Sequence, residues 1–252
     1  MDRTCAAPAA AAAAGLAGLV GFAGAGCHGE AKAPDSQSVV TLRDAGRAPL
    51  HALAYRPGTS TRQVKFKTGP ATTTIEWKPD DGRPSSLRYR FVLTGLDFAD
   101  TPAAGEAEVL KSLIGKVTGT VVSDAHGRAT AINDSERYRI APAVPDIASL
   151  AIVPLPTEAI GVGARWTVTG HPSPQLPIKA ALDYEAIAIS PEGATVRWTG
   201  HYDAETGERS SDVDGQMEIR FDDVMPLRGS LRQRPVLPSP DSKPIELMIA
   251  IE

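Results

Sequence analysis

Cysteine is nearly absent: the 252 residues hold two, Cys5 and Cys27. So few thiols exclude a disulfide framework and a structural zinc site built on several thiolates. Aromatic residues are scarce as well, with three Trp, five Tyr and five Phe. Positive charge is not in excess, since 26 Lys and Arg stand against 30 Asp and Glu for a net charge of −4. No basic stripe is visible, which argues against nucleic acid as a partner. Chemical motifs are missing too. There is no Gly-x-Ser-x-Gly elbow, no His-Glu-x-x-His, no Cys-x-x-Cys and no phosphate-cradling glycine loop. The sequence therefore assigns no catalytic residue, no cofactor and no metal site, and the chain reads as non-enzymatic.

One apolar run stands out. Ala6 to Gly26 carries no charge and ends Gly24-Ala25-Gly26-Cys27. A short start, an apolar stretch and a small-residue cleavage end are the parts of a secretory signal. Small residues before a cysteine are what a lipoprotein signal peptidase accepts. Residues 1–26 are accordingly expected to be a signal peptide and Cys27 the lipidation site, a palmitate-type acyl anchor to the membrane. Two rivals are an ordinary signal cut near Ala25 and a retained anchor, for which the length suffices but Ala and Gly give little hydrophobic drive. Acylation also accounts for the one cysteine left in an exported chain. His28 rather than Asp follows Cys27; by the enteric sorting rule this points to the outer membrane over the inner. Residues 27–49 are polar and lack aromatics, and are expected to form a flexible tether.

The rest alternates with period two, the mark of half-buried strands. Val64, Phe66; Leu87, Tyr89, Phe91, Leu93; Trp166, Val168; Val196, Trp198, Tyr202; and Met217, Ile219, Phe221 each share a face. Pro and Gly clusters punctuate them, and Asp81-Gly82 supplies a hairpin turn. The spacing of Val109, Leu110, Leu113 and Ile114 predicts a helix over 106–116. A short helical turn is expected at 146–150. The expected fold is mainly β: one antiparallel, strongly curved sheet, half-barrel or sandwich, of roughly ten strands, with one inserted helix. It forms a single domain, 50–252. Its halves, 50–140 and 155–252, share a layout that either a duplication or ordinary antiparallel punctuation would give.

The segment Pro156-Thr157-Glu158-Ala159-Ile160-Gly161-Val162-Gly163-Ala164-Arg165-Trp166 resembles the proline and Val-Gly-x-x-Trp segment of uncharacterised β-rich bacterial lipoproteins. A lipid-anchored strand meander with one inserted helix is also similar in layout to the half-barrel lipoprotein carriers of the LolA and LppX type. That resemblance implies a curved sheet closed by a helix and holding acyl chains. It implies no catalytic residues.

Candidate residues follow from these readings. Trp77, Phe91, Trp166 and Trp198 are the expected lining of an apolar ligand cavity, against the plainer reading that they are core. An enzyme would need groups that converge only in three dimensions, with His51, His201 and Asp203 first among them. The acids Asp203, Glu205, Glu208, Asp212 and Asp214 lack an ordered Ca²⁺ pattern and read as a polar hairpin tip. The membrane, through the lipid, is the expected partner, with an apolar ligand beside it. An adhesion or assembly module using exposed strand edges is the alternative. No protein partner is identified.

Overall fold

The computed structural model describes residues 38–68, 71–80, 87–99, 108, 111–133, 150–172, 178–204, 210–236 and 247–251. They form fourteen strands: β1 Val39–Asp44, β2 Arg47–His51, β3 Arg62–Thr68, β4 Ala71–Asp80, β5 Leu87–Phe98, β6 Thr118–Ser123, β7 Ala129–Asn133, β8 Ile160–Val162, β9 Arg165–Gly170, β10 Ile178–Ile189, β11 Gly193–Ala204, β12 Ser210–Arg220, β13 Asp223–Val236 and β14 Leu247–Ile251. Twelve make one sheet in the order β1-β9-β10-β11-β12-β13-β14-β3-β4-β5-β6-β7, and β2 pairs with β8 in a separate ribbon. Every pairing is antiparallel.

The sheet is thus two meanders, β9–β13 and β3–β7. The late strand β14 joins them by pairing β13 on one side and β3 on the other. Alternation fixes which face is buried. On β4, Ala71, Thr73, Ile75 and Trp77 are buried while their neighbours are half-buried; on β5, Leu87, Tyr89, Phe91 and Leu93 are buried and Arg88, Arg90 and Thr94 exposed. Ile75, Trp77, Leu87, Tyr89, Phe91 and Leu93 and their counterparts on β9–β13 form one continuous core.

Two segments outside the main sheet cover that face. In 52–60, Leu53 and Tyr55 are buried. The Tyr55 N–H donates to Ala125 O (2.7 Å) and the Arg56 N–H to Phe221 O (2.6 Å). In 150–157, Leu150, Ile152, Val153 and Leu155 are buried. Here the Leu155 N–H donates to His126 O (2.8 Å), the Tyr55 hydroxyl to Val153 O (3.0 Å) and Trp166 Nε1 to Pro154 O (2.9 Å). Pro154 and Pro156 have no N–H to give a ladder, so side-chain donors take the place of a sheet neighbour.

Several expectations are corrected. The sheet is open and not strongly curled; β1 and β7 are its edges. The crossing segments, not closure on a helix, supply the second layer. Of the helix expected over 106–116, Glu108 and Lys111 are helical among the described residues, and 112–116 is a turn that does not continue it. The Ser112 N–H reaches Glu108 O (2.9 Å), after which contacts to the third residue back, Ile114 to Lys111 (3.1 Å) and Lys116 to Leu113 (2.9 Å), tighten the chain. Gly115 then turns at φ +76°, and its N–H goes sideways to Leu93 O (2.8 Å). A donor spent on β5 cannot extend a helix. Val109 and Leu110 lie outside the described residues, as does 146–150 apart from Leu150. The tether expected over 27–49 holds β1 and the start of β2; Val39-Val40-Thr41-Leu42 is rich in β-branched residues and pairs with β9, and β2 pairs with β8. Among the described residues there are fourteen strands, where roughly ten were expected. Of the acids expected at a hairpin tip, Asp212 and Asp214 lie within β12 and Asp203 within β11; Glu205 and Glu208 lie outside the described residues.

Candidate functional site

The aromatic residues gather into two groups on the buried face. Trp166, Tyr184 and Trp198 face one another across β9, β10 and β11. Their rings stack at 5.5 Å and 8°, then 5.5 Å and 26°. Register does this, because directly opposed residues stand close enough for their rings to meet. Gly215 on β12 completes the row opposite Trp198; a Cβ there would lie 2.4 Å from the indole, so only glycine lets the ring lie over the strand. In the other meander Trp77 stacks on Tyr89 at 4.9 Å and 14°, and Trp77 faces Phe91 across β4 and β5.

Trp77, Phe91, Trp166 and Trp198 are therefore core residues, each at most 3% exposed. The structure brings Trp166 and Trp198 together through Tyr184, and Trp77 and Phe91 together in the other meander. Beside the longer stack, a cavity of about 20 Å³ is lined by Ile152, Leu182, Tyr184 and Tyr202 among others. That is room for one water and not for an acyl chain. Burial pushes the hydroxyls of Tyr184, Tyr202 and Tyr55 well above the ordinary phenol value.

A polar junction lies where the meanders meet. Asp223, at the start of β13, accepts from Arg62 Nε (2.8 Å), Trp77 Nε1 (3.0 Å) and the Met225 N–H (2.9 Å). Arg62 also donates to Pro226 O (2.8 Å) and Met225 O. Burial raises the Asp223 carboxyl above its usual range, opposed by the Arg62 charge. Tyr89 is pushed up to about 12, by burial first and by Asp223 next. Its hydroxyl accepts from the Gly58 N–H (3.4 Å), which fastens the segment 52–60 here. A cavity of about 40 Å³ opens between Gly58, Arg62, Tyr89, Asp222 and Leu227. It suits a water rather than a substrate.

Sequence reasoning passed over this junction. Its signal was a charge in the apolar phase of each strand: Arg62 in step with Val64 and Phe66, and Asp223 in step with Met225. Opposite charges at such positions are candidates for a buried pair.

Of the enzyme candidates, two stand together and the third lies on another element. His201 and Asp203 meet at 3.3 Å on the open face of β11, each about half exposed. His51 sits on β2, in the separate ribbon. Among the described residues no group of three or more His, Cys, Asp or Glu could hold a metal ion. Cys27 lies outside them. Also among them, no helix is long and apolar enough to cross a membrane. Comparison with family models, curated proteins and solved structures finds no match.

Proposed function

We propose that this chain is an exported, non-enzymatic envelope protein, held to a membrane by lipid on Cys27, and that it works as an assembly module through its sheet. The uncharged run Ala6–Gly26 before a lone cysteine supports the anchor. The observation that carries the surface reading is the filled interior. Trp77, Phe91, Trp166 and Trp198 are packed ring against ring or strand against strand; the cavity lined by Tyr184 and Tyr202 measures about 20 Å³, and the larger hollow of about 390 Å³ that Trp166, Tyr184 and Trp198 also border is open and edged by Arg43, Asp183, Glu185 and Arg197. Carrying an acyl chain would require the segment 150–157 to leave.

One observation favours the carrier reading. Trp198 Nε1 and Gln233 Oε1 are buried on this face without a hydrogen-bond partner, a donor and an acceptor that the head of an apolar ligand would satisfy.

The test is the intact mass of membrane-extracted protein beside a Cys27→Ala variant, with an organic extract of the same sample. A start at Cys27 plus acyl mass, lost in the variant, together with an empty extract, is the expected result. A plain chain cut elsewhere removes the anchor. A stoichiometric lipid in the extract replaces the assembly reading with the carrier.

A further inference from the structure

β9, β10 and β11 lay a grid of polar side chains on the open face. Register puts Arg165, Glu185 and Arg197 in one row and Thr167, Asp183 and Thr199 in the next. β1 adds a further group. Leu42 faces Trp166 and Asp44 faces Arg165, so two steps on β1 match one on β9, and Arg43 is the extra residue of a bulge. A bulge re-aims a side chain. Arg43 borders an open hollow of about 390 Å³ together with Arg165, Asp183, Glu185, Arg197 and Thr199. That is the size of a small-ligand site.

The charges around this hollow are unevenly matched. Arg197 is spent on Glu185, at 2.7 Å through Nη2 and 3.1 Å through Nε. The Glu185 carboxyl is held below its usual range by that hydrogen bond first, and the Arg165 charge adds to the effect. Among the described residues, however, Arg165 closes no ion pair, and neither do the exposed Arg43 and Asp183. Asp44, the acid of β1, accepts from the Gly46 N–H (2.9 Å). Two guanidiniums from neighbouring strands thus border one hollow without a bound acceptor, and a carboxylate borders it without a bound cation.

We propose that this hollow binds a phosphate monoester that also carries an ammonium group, of the phosphoethanolamine kind. The inference rests on neither the anchor nor the assembly reading. A phosphate has oxygens enough for two guanidinium forks arriving from β1 and β9, where a carboxylate fills one. Arg43 and Arg165 hold it. Asp183 calls for the ammonium, because beside a purely anionic ligand its own charge would be repelled. Arg197, fixed by Glu185, forms the wall between them. All of these groups stand on strands, so register sets their spacing before a ligand arrives.

The probe is O-phosphoethanolamine, titrated into the full-length protein and followed by calorimetry and by backbone amide shifts. Saturable binding is expected, with the largest shifts at Arg43, Arg165 and Asp183. Arg43→Gln and Arg165→Gln, at exposed positions, should each weaken binding at least about ten-fold with the melting temperature unchanged. Inorganic phosphate should bind about three-fold more weakly than the probe, and Asp183→Asn should erase that difference. Arg234→Gln, on the same face but outside the hollow, should change nothing. Vesicles of phosphatidylglycerol with phosphatidylethanolamine test the source of the group. Competition with the probe that phosphatidylglycerol alone does not give assigns it to a lipid head, and a probe left in place assigns it to a soluble monoester. Absence of saturable binding overturns the proposal, as does unchanged affinity in Arg165→Gln. So does inorganic phosphate binding as tightly as the probe. An equal loss in Arg234→Gln overturns it too, because overall charge would then account for the binding.

Discussion

In the meander β9–β13, strands β10 to β13 run to 12, 12, 11 and 14 residues, while β3, β6 and β7 of the other have 7, 6 and 5. The long meander repeats one device across neighbouring strands. Its buried face carries a three-ring stack. Its open face carries cross-strand pairs, Arg197–Glu185 at 2.7 Å, Arg228–Glu218 at 2.7 Å and Arg234–Asp214 at 2.6 Å. The short meander has two stacked rings and one open-face cross-strand pair, Arg88–Asp80 at 3.2 Å, and Trp77 is tied by its indole N–H to Asp223 in the other meander. Both meanders thus carry opposed pairs of their own, and the short one is tied in addition to its neighbour. Opposed pairs set register from within a meander; the buried Asp223 acceptor sets it from outside.

The largest effect should come from alkali, which acts on both meanders. Tyr55, Tyr89, Tyr184 and Tyr202 all have folded-state values above the ordinary phenol, near 10. The unfolded chain then releases protons first, so stability falls as pH rises above about 10. Ultraviolet titration should show these four ionising only within the unfolding transition. Early ionisation of any one would place it at a loose part of the fold.

Next, Tyr184→Ala removes the centre of the long stack and should cost about 4 kcal/mol in urea unfolding. Asp223→Ala should cost about 3 kcal/mol, since Arg62 and the Trp77 indole lose their shared acceptor. Amide exchange should then rise first in β3–β5; an equal rise in β9–β13 would break the distinction between the meanders. Gly215→Ala presses a methyl into Trp198 and should cost about 1–2 kcal/mol. Gly95→Ala, where the new Cβ would stand 3.2 Å from Thr74 Cβ, should cost less. The smallest effect belongs to Arg197→Gln on the open face. The Glu185 carboxyl, held low first by its hydrogen bond to Arg197, should titrate higher by NMR with the melting temperature almost unchanged.

Much of this fold was legible in local alternation. Most of the strands overlap runs in which apolar residues recur at every second position, because one face is buried and the other wet; β2, exposed throughout, is an exception. β1 escaped notice because its Arg43 and Asp44 border a polar stretch, and β8 because three residues are too few for a period. The expected helix is cut short for a different reason. Val109, Leu110, Leu113 and Ile114 have helical spacing, but spacing cannot report that the Gly115 N–H is spent on Leu93. Nor does composition separate a cavity lining from a core. Both want Trp on an apolar face, and only the stacking distances and the size of the neighbouring cavity distinguish them. The Asp223 junction needed long-range information, since its partners lie 161 and 146 residues away.

The placement of β14 bears on how the molecule comes into being. Of the described strands it is the last to be synthesised, and the two meanders are neighbours in the sheet only through it. A chain emerging amino end first can shape β3–β7 and then β9–β13 as separate hairpin arrays. It cannot zip them into one sheet until residues 247–251 have arrived. Completion is therefore a late, long-range event, of the kind that slows β proteins and leaves strand edges exposed while they wait. During that interval β3 and β13 each lack one neighbour and stand open to a holding chaperone.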